Sequence, residues 1–348
     1  MKAEIFSLDK SNEHELIAFL NRVSAVNHSV LGYHYPQYLK ILEKIEVGKL
    51  HLIAVKNESN QWMAFLPGMI KTTSIGTAYS SLPFFGPNAG IIADPVDLAE
   101  DELIQMTFDF LKSSLSELDI VSTSIYSPLD DFKAQASYEK ALRPDEVVEK
   151  FTSFIRLDHL QLSTSLLYDL RKAEKSGVEI RVGNFEGAAE QIFSIYKKNC
   201  EDYGIPLKPK ECIQELVIQS QPDSFTETYT AWLDGKMIGA LIMIYSPCTA
   251  SYYLPCSLHE YRSFQPTTLL IKYAMDRSKE RGMRIWNWES SPSKDSGVFK
   301  FKMKWGSEDG TYKIFINTYK PREFFGELGQ SSISSEFPFF FVFPFNRL

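Results

Sequence analysis

The sequence predicts an α/β (α+β) protein built as two tandem domains, each a mixed, mainly antiparallel sheet flanked by helices. Three observations carry this expectation. The chain has 348 residues, too long for one ordinary core and suited to two domains of roughly 150 residues each. The order helix, hairpin, strand, helix, strand occurs once in each half, as in a diverged tandem duplication. Aromatic residues make up 14% of the chain, which favours broad sheets with packed helices and pockets lined by rings. The expected boundaries are a first domain at 1–150, a second at 151–320 and an apolar tail at 321–348.

In the first half, an amphipathic helix capped near Ser11 or Asn12 carries Leu16, Ile17, Phe19 and Leu20. A second helix follows Tyr35-Pro36, with Tyr38, Leu39, Leu42 and Ile45 on its apolar side. The runs Leu50–Val55 and Gln61–Leu66 read as a hairpin about the polar turn at Glu58–Asn60. Asp94-Pro95 reads as a helix start, because aspartate caps first-turn amides and proline suits the first turn. That helix runs to about Leu115 and leads into a strand at Asp119–Ile125. The third strand, at Ser74–Ser80, is weakly marked. Residues Ser127 to Glu149 show no clear period, so the domain boundary is expected there.

The second half opens with a helix from Ser163 or Thr164 that carries Arg171, Lys172 and Lys175 and stops at Gly177. A short strand at Val178–Val182 precedes a helix from about Glu186 to Tyr203. Asp234-Gly235 joins the strands Thr228–Leu233 and Met237–Ile244 in a tight hairpin. A strand at Ala250–Leu254, a helix entered at Pro266 and closed at Gly282, and strands from Arg284 and Thr311 complete the set.

Hydrophobic residues at 44% and charged residues at 23% are the proportions of a soluble globular protein. The net charge of −7 opposes DNA as a partner and weakly disfavours tRNA. Cys200, Cys212, Cys248 and Cys256 form no C-x-x-C pair, and the histidines lack metal spacing, so no metal ligands are assigned. Reduced thiols in a cytoplasm are expected. Met1–Phe6 lacks the apolar core of a signal peptide. The tail Phe337–Phe345 is about half as long as a spanning helix and holds two prolines, so no transmembrane segment is expected. It reads as a strap packed on the protein, or else as an oligomer or membrane-edge contact.

The most informative stretch is Ser296–Gly306, which sets Lys302 among Phe299, Phe301 and Trp305. A lysine buried among aromatics is costly, so it usually has an anionic partner or a task. By strand alternation, Lys300, Lys302 and Lys304 would share one face. At helical spacing, Val298, Phe301, Lys302 and Trp305 share one instead. Tyr252 and Tyr253 alternate along their strand, so one of them is expected to face a cleft.

Several phrases occur in the order found in FemAB-like acyltransferases, a branch of the GNAT superfamily. Phe301-Lys302-x-x-Trp305-Gly306 resembles the family's FK-x-x-[WF]-G signature. Ser81–Ala93 is similar to its S-x-P-F-x-x-x-G-G loop and strand, with Ala89 in place of a glycine. Tyr168–Val178 resembles its basic helix end, and Tyr196–Pro206 its helix-to-loop phrase, with Tyr203 where histidine is common. Ser257-x-x-Glu260-Tyr261, followed by Pro266, Leu269, Leu270 and Gly282, completes the ordered set.

The resemblance implies two GNAT-like domains and a short helix at Gly297–Lys304. It implies a thioester donor held between two splayed strands, with its phosphates on the helix entered at Gln265, Thr267 and Thr268. The usual [RQ]-x-x-G-x-[GA] loop is absent from Arg262–Thr267, so this is equally an ordinary proline-started helix. Lys302 and Glu289 are the expected catalytic residues. Lys302 would stabilise a phosphate or tetrahedral oxyanion, and Glu289 would accept the amine's proton. Phe301, Tyr253, Arg171 and Trp305 are the expected substrate-binding residues. The alternatives are a lysine snorkelling to solvent, a glutamate bonded to its own loop and, for Arg171, a solvated charged face.

The expected function is an N-acyltransferase that moves an acyl or aminoacyl group to an amine of a cell-envelope or nucleotide-linked precursor. Acyl-CoA or aminoacyl-tRNA would serve as donor co-substrate, with no permanently bound cofactor. No heptad run marks the coiled-coil arm found in relatives that build peptidoglycan cross-bridges. The rival expectation is a catalytically degenerate GNAT pair acting as a ligand-binding module. The histidine and serine contexts support neither a metalloenzyme nor a serine hydrolase.

Overall fold

The computed structural model describes residues 1–83, 89–96, 98–128 and 132–348, with backbone alone at 132. The loop phrase expected at 81–93 therefore lies partly outside the described residues, as does part of the boundary segment at 127–149. The chain divides into two compact units, Met1–Phe151 with Gly310–Leu348, and Thr152–Asp309. The expected second domain of 151–320 thus ends about ten residues early, because the chain after Asp309 returns to the first unit.

The first unit begins with β1 (Lys2–Phe6), α1 (Lys10–Ser24), α2 (Pro36–Lys44), β2 (Lys49–Leu50), β3 (Leu52–Lys56) and β4 (Trp62–Leu66). It continues with β5 (Met69–Thr73), β6 (Gly76–Ser80), β7 (Ile92–Ala93), α3 (Glu100–Leu115), β8 (Ile120–Tyr126), α4 (Phe132–Leu142) and β9 (Glu146–Arg156). The α1 cap is Asp9, whose carboxylate accepts from Asn12 N at 2.9 Å, two to three residues before the expected start.

Asp94-Pro95 does not start a helix. The Asp94 carboxylate takes Arg22 Nε at 2.8 Å instead, and α3 begins at Glu100.

The second unit holds α5 (Thr164–Glu174), β10 (Glu179–Val182), α6 (Ala188–Tyr203), α7 (Lys210–Ile218), β11 (Thr226–Leu233), β12 (Lys236–Tyr245) and β13 (Thr249–Ser257). α8 (Pro266–Glu280), β14 (Ile285–Ser291) and α9 (Gly297–Met303) follow. Its strands run β10-β11-β12-β13-β14, antiparallel except for the last pair. Leu166, Leu170, Leu270, Ile271 and Met275 from α5 and α8 pack with Tyr229, Leu241, Trp286, Trp288 and Trp305 in one core. The β11–β12 turn places Asp234 (φ +51) and Gly235 (φ +77) in the left-handed region, as a two-residue type I′ hairpin requires.

The chain then enters β15 (Glu308–Thr318) and α10 (Arg322–Glu336). Ile314–Thr318 pairs antiparallel with Ser122–Tyr126 inside the first unit. The first unit's strands form two sheets, β1-β3-β4-β7 and one containing β15-β8-β6-β5-β2. The Phe-rich tail packs as a strap. Phe337, Val342 and Phe343 are buried with Phe325, Ile333, Ala78 and Val121, and the Phe325 and Phe343 rings stack at 4.3 Å. Among the described residues, no helix is long and apolar enough to cross a membrane.

Candidate functional site

The second unit's sheet opens where its one parallel pair ends. β13 and β14 pair only at Thr249–Ile285, Ala250–Trp286 and Ser251–Asn287, while β13 stays paired with β12 as far as Ser257. Between the diverging strands lies a cavity of about 690 Å³. Tyr252, Tyr253, Pro255 and Ser257 line it from β13, and Trp288 and Glu289 from β14. Gln265, Thr267 and Thr268 line it at the start of α8, Val298, Phe301 and Lys302 from α9, and Asn199 and Tyr203 from α6.

Both tyrosines face the cavity, where strand alternation allows only one. The reason is a bulge: Ile242 pairs with Leu254 but Met243 pairs with Tyr252, so Tyr253 is an extra residue in the ladder. Such a bulge bends the strand and re-aims its side chains.

The Ser296–Gly306 segment is helical. Ser296 Oγ caps α9 by accepting from Phe299 N at 3.2 Å. Helical spacing then buries Lys302, 3% exposed, and leaves Lys300 and Lys304 outside. Gly306 ends the phrase at φ +76, and a Cβ there would sit 2.5 Å from the Gln161 carbonyl oxygen. Trp305 is fully buried in the core with Trp288, 6.0 Å between ring centroids, so it supports Phe301 from behind and does not form the cavity wall. Arg171 is exposed on α5 and is not brought to the cavity, as expected of a solvated face.

Lys302 does not snorkel. Its Nζ donates to Glu289 O at 3.1 Å, Ser290 O at 2.9 Å and Ser291 Oγ at 3.0 Å. Burial pushes its pKa down to about 8, opposed by the nearby Glu289 carboxylate. All three ammonium hydrogens are thus directed at the end of β14, and the expected oxyanion role has no hydrogen left to carry it. The Lys302 carbonyl is held in turn by Ser307 Oγ at 2.7 Å, which also accepts from Trp288 Nε1 at 2.7 Å.

What Lys302 holds is a strained turn. Glu289 sits at φ +61, a region that a side chain other than glycine's rarely takes. Its carbonyl also accepts from Thr152 Oγ1 at 3.3 Å, its amide donates to Asn287 Oδ1 at 3.0 Å, and its carboxylate accepts from Asn287 Nδ2 at 2.7 Å. Backbone strain of this kind persists only where surrounding contacts over-determine it, and it concentrates at functional sites.

At the other end of the cavity, His259–Phe264 forms a 3-10 turn in place of a glycine-rich loop. Its amides are used internally, Tyr261 N to Leu258 O at 3.1 Å and Gln265 N to Arg262 O at 3.0 Å. Pro266 has no amide hydrogen, so α8 offers the amides of Thr267 and Thr268. The cavity's cysteine is inert. Burial pushes the Cys256 thiol up to about 12 and that of neighbouring Cys212 up to about 11, and neutral thiols are poor nucleophiles.

A family profile described as "Acetyltransferase (GNAT) domain" matches residues 163–287, inside the second unit. The crystal structure of FemX superposes with a TM-score of 0.70 at 13% identity, over 95% of this chain and 100% of that one. The chain has the fold of FemAB-like tandem GNAT proteins. The C-terminal domain of a putative lysylphosphatidylglycerol synthetase from Agrobacterium fabrum is similar too, with a TM-score of 0.56, 11% identity and coverage of 92% and 97%. So is a tandem GNAT protein from the clavulanic acid biosynthesis pathway, with a TM-score of 0.54, 9% identity and coverage of 92% and 99%. At these identities the likeness is one of fold. No curated protein matches the chain in sequence.

The cavity gathers Lys302, Glu289, Phe301, Tyr253, Gln265, Thr267 and Thr268 from four separate elements. Sequence reasoning missed two residues. Asn199 bonds both backbone groups of Ser257, donating to its O at 2.8 Å and accepting from its N at 2.9 Å. Lys208 places its ammonium 5.6 Å from the Tyr253 ring centroid. Asn199 lies within the Tyr196–Pro206 phrase but is not one of the positions that carry its resemblance, and Lys208 lies outside every phrase, so nothing local marked them.

Proposed function

We propose that this chain is an N-acyltransferase that moves an acyl or aminoacyl group to the amine of a cell-envelope or nucleotide-linked precursor, in the cavity between β13 and β14. The observation that carries the reading is a half-buried carboxylate, Glu289, held at a strained backbone position on the wall of a cavity that also meets a helix amino terminus. The acceptor amine attacks the donor carbonyl, Glu289 takes the amine's proton, and the ester or thioester oxygen or sulfur departs with the electron pair of the broken bond. The neutral state of Cys256 and Cys212 supports direct transfer without an acyl-cysteine.

Of the two donor classes, the α8 entrance favours an aminoacyl ester. A pyrophosphate wants a cradle of several amides, and here Thr267 and Thr268 supply two, next to Arg262 on the cavity wall. That is enough for one phosphate. The similarity to a putative lysylphosphatidylglycerol synthetase, whose name implies transfer of a lysyl group, agrees with this choice. Titrating the protein with coenzyme A and with a non-hydrolysable aminoacyl-adenosine monophosphate ester analogue tests it. The analogue binds more tightly if the reading holds, and stronger binding of coenzyme A reverses the donor assignment.

A further inference from the structure

The pairing of β14 with β13 ends at Ser251–Asn287, and beyond it β13 runs on to Ser257 along the open side of the cavity. Leu258 N donates to Ile238 O at 2.9 Å. By the alternation of an antiparallel ladder, Pro255 and Ser257 therefore turn their backbone groups away from β12 and toward the opening. A strand edge of this kind invites an extended chain to add to it through amide hydrogen bonds. Here the edge is closed. Pro255 brings no N–H. Ser257 N donates to Asn199 Oδ1 at 2.9 Å, and Ser257 O accepts from Asn199 Nδ2 at 2.8 Å. One side-chain amide stands where the peptide group of an added chain would bond.

Two elements hold this plug in place. On α6, the carbonyl of Ile192, about two turns before Asn199, accepts from Cys256 Sγ at 3.9 Å, and Ile192, Ile195, Tyr196 and Cys200 are buried. At the start of α8, Thr267 Oγ1 donates to Ser257 Oγ at 3.1 Å. The amide, carbonyl and hydroxyl of Ser257 are thus all engaged. Asn199, Pro255, Ser257 and Thr267 all line the cavity, so the closed edge belongs to its wall.

We propose that Asn199 is a specificity-determining residue, closing the β13 edge to a donor with an amide-bearing arm, such as the pantetheine chain of coenzyme A. The cavity is thereby reserved for an ester donor without such an arm. This rests on the reading of the cavity as the donor site. Calorimetric titration with coenzyme A, and with adenosine 3′,5′-bisphosphate, which lacks the arm, tests it. Asn199→Ala releases both Ser257 groups and is expected to bind coenzyme A about tenfold or more tighter than wild type. Its affinity for adenosine 3′,5′-bisphosphate is expected to stay at the wild-type value. Asn199→Ser, whose side chain is too short to bond both groups, is the second variant should alanine loosen α6. Amide exchange followed by NMR supplies an independent readout. The Ser257 amide exchanges faster in Asn199→Ala and slows again with coenzyme A, while Leu258, bonded to Ile238, keeps its wild-type rate. Coenzyme A affinity that is equal in wild type and both variants, or undetectable in all three, overturns the proposal. So does a gain that is as large for adenosine 3′,5′-bisphosphate. The comparison needs no acceptor, so a failure to observe transfer counts against the proposed function and leaves this result standing.

Discussion

Lys302 Nζ lies 3.1 Å from the carbonyl oxygen of Glu289, thirteen residues earlier, at a position where Glu289 takes a φ of +61. The lysine of the FK-x-x-WG phrase thus shapes the backbone from which the cavity's carboxylate projects. On the proposed reading, its effect on chemistry passes through Glu289.

Removing the ammonium takes a donor from the Glu289 and Ser290 carbonyls and the Ser291 hydroxyl, of which Glu289 O keeps Thr152 Oγ1. Lys302→Ala is therefore expected to cost on the order of 2–4 kcal/mol of stability as well as activity. Lys300→Ala, at an exposed site on the same helix, should stay within about 0.5 kcal/mol of wild type. Chemical denaturation of both variants checks this. Equal midpoints would show that the three hydrogen bonds do not hold the turn.

The same lysine gives a pH dependence with a definite sign. Burial lowers its folded pKa from 10.5 to about 8, while the unfolded chain keeps its proton to near the ordinary value. Between those pH values the unfolded state binds more protons, so this group's contribution to stability rises with pH. Below about 8 the cost of burying the charge is present in full. The stability of wild type relative to Lys302→Met should therefore grow by about 1–3 kcal/mol from pH 8 to pH 10. A flat or falling difference would contradict the buried, charged lysine.

Glu289→Gln keeps the side chain's size and its contact with Asn287, but cannot take a proton. It should leave the melting temperature nearly unchanged and lower kcat by about 10²–10⁴-fold. Loss of stability without loss of kcat would make Glu289 a structural residue only.

Gly306→Ala sets a Cβ 2.5 Å from the Gln161 carbonyl oxygen at φ +76, so strain and a clash with backbone add together. A loss of more than about 2 kcal/mol is expected. Gly235→Ala, at φ +77 with nothing within 4 Å, should cost only about 1–2 kcal/mol. Similar losses would mean that the close approach at Gly306 is relieved by movement.

These residues also show what was legible in the sequence. Strand alternation and helical spacing both fitted Ser296–Gly306, so the α9 helix was legible only through the resemblance of its phrase; the structure adds the Ser296 cap and buries Lys302 while exposing Lys300 and Lys304. Asp234-Gly235 fixed its hairpin because its signal is local. Asp94 misled because its carboxylate is taken by Arg22, 72 residues earlier. The end of the second unit was misplaced because Thr318 pairs with Ser122, a contact that no nearby signal announces. Trp305 looked like a site residue because it stands beside Lys302 in the phrase, yet helical geometry turns it into the core. Asn199 reaches the cavity wall, and Lys208 the Tyr253 ring, only through the fold, and the bulge that turns both Tyr252 and Tyr253 into the cavity leaves no local mark.

The most direct test is transfer itself. Purified wild type and Glu289→Gln are each incubated with charged tRNA or with acyl-CoA, together with a UDP-linked muropeptide acceptor, and the acceptor's mass is followed with time. The account predicts that the acceptor gains one aminoacyl or acyl group with wild type, and that Glu289→Gln slows the gain by about 10²-fold or more. Tight binding of the acceptor with no mass gain from either donor would contradict it and leave a ligand-binding module.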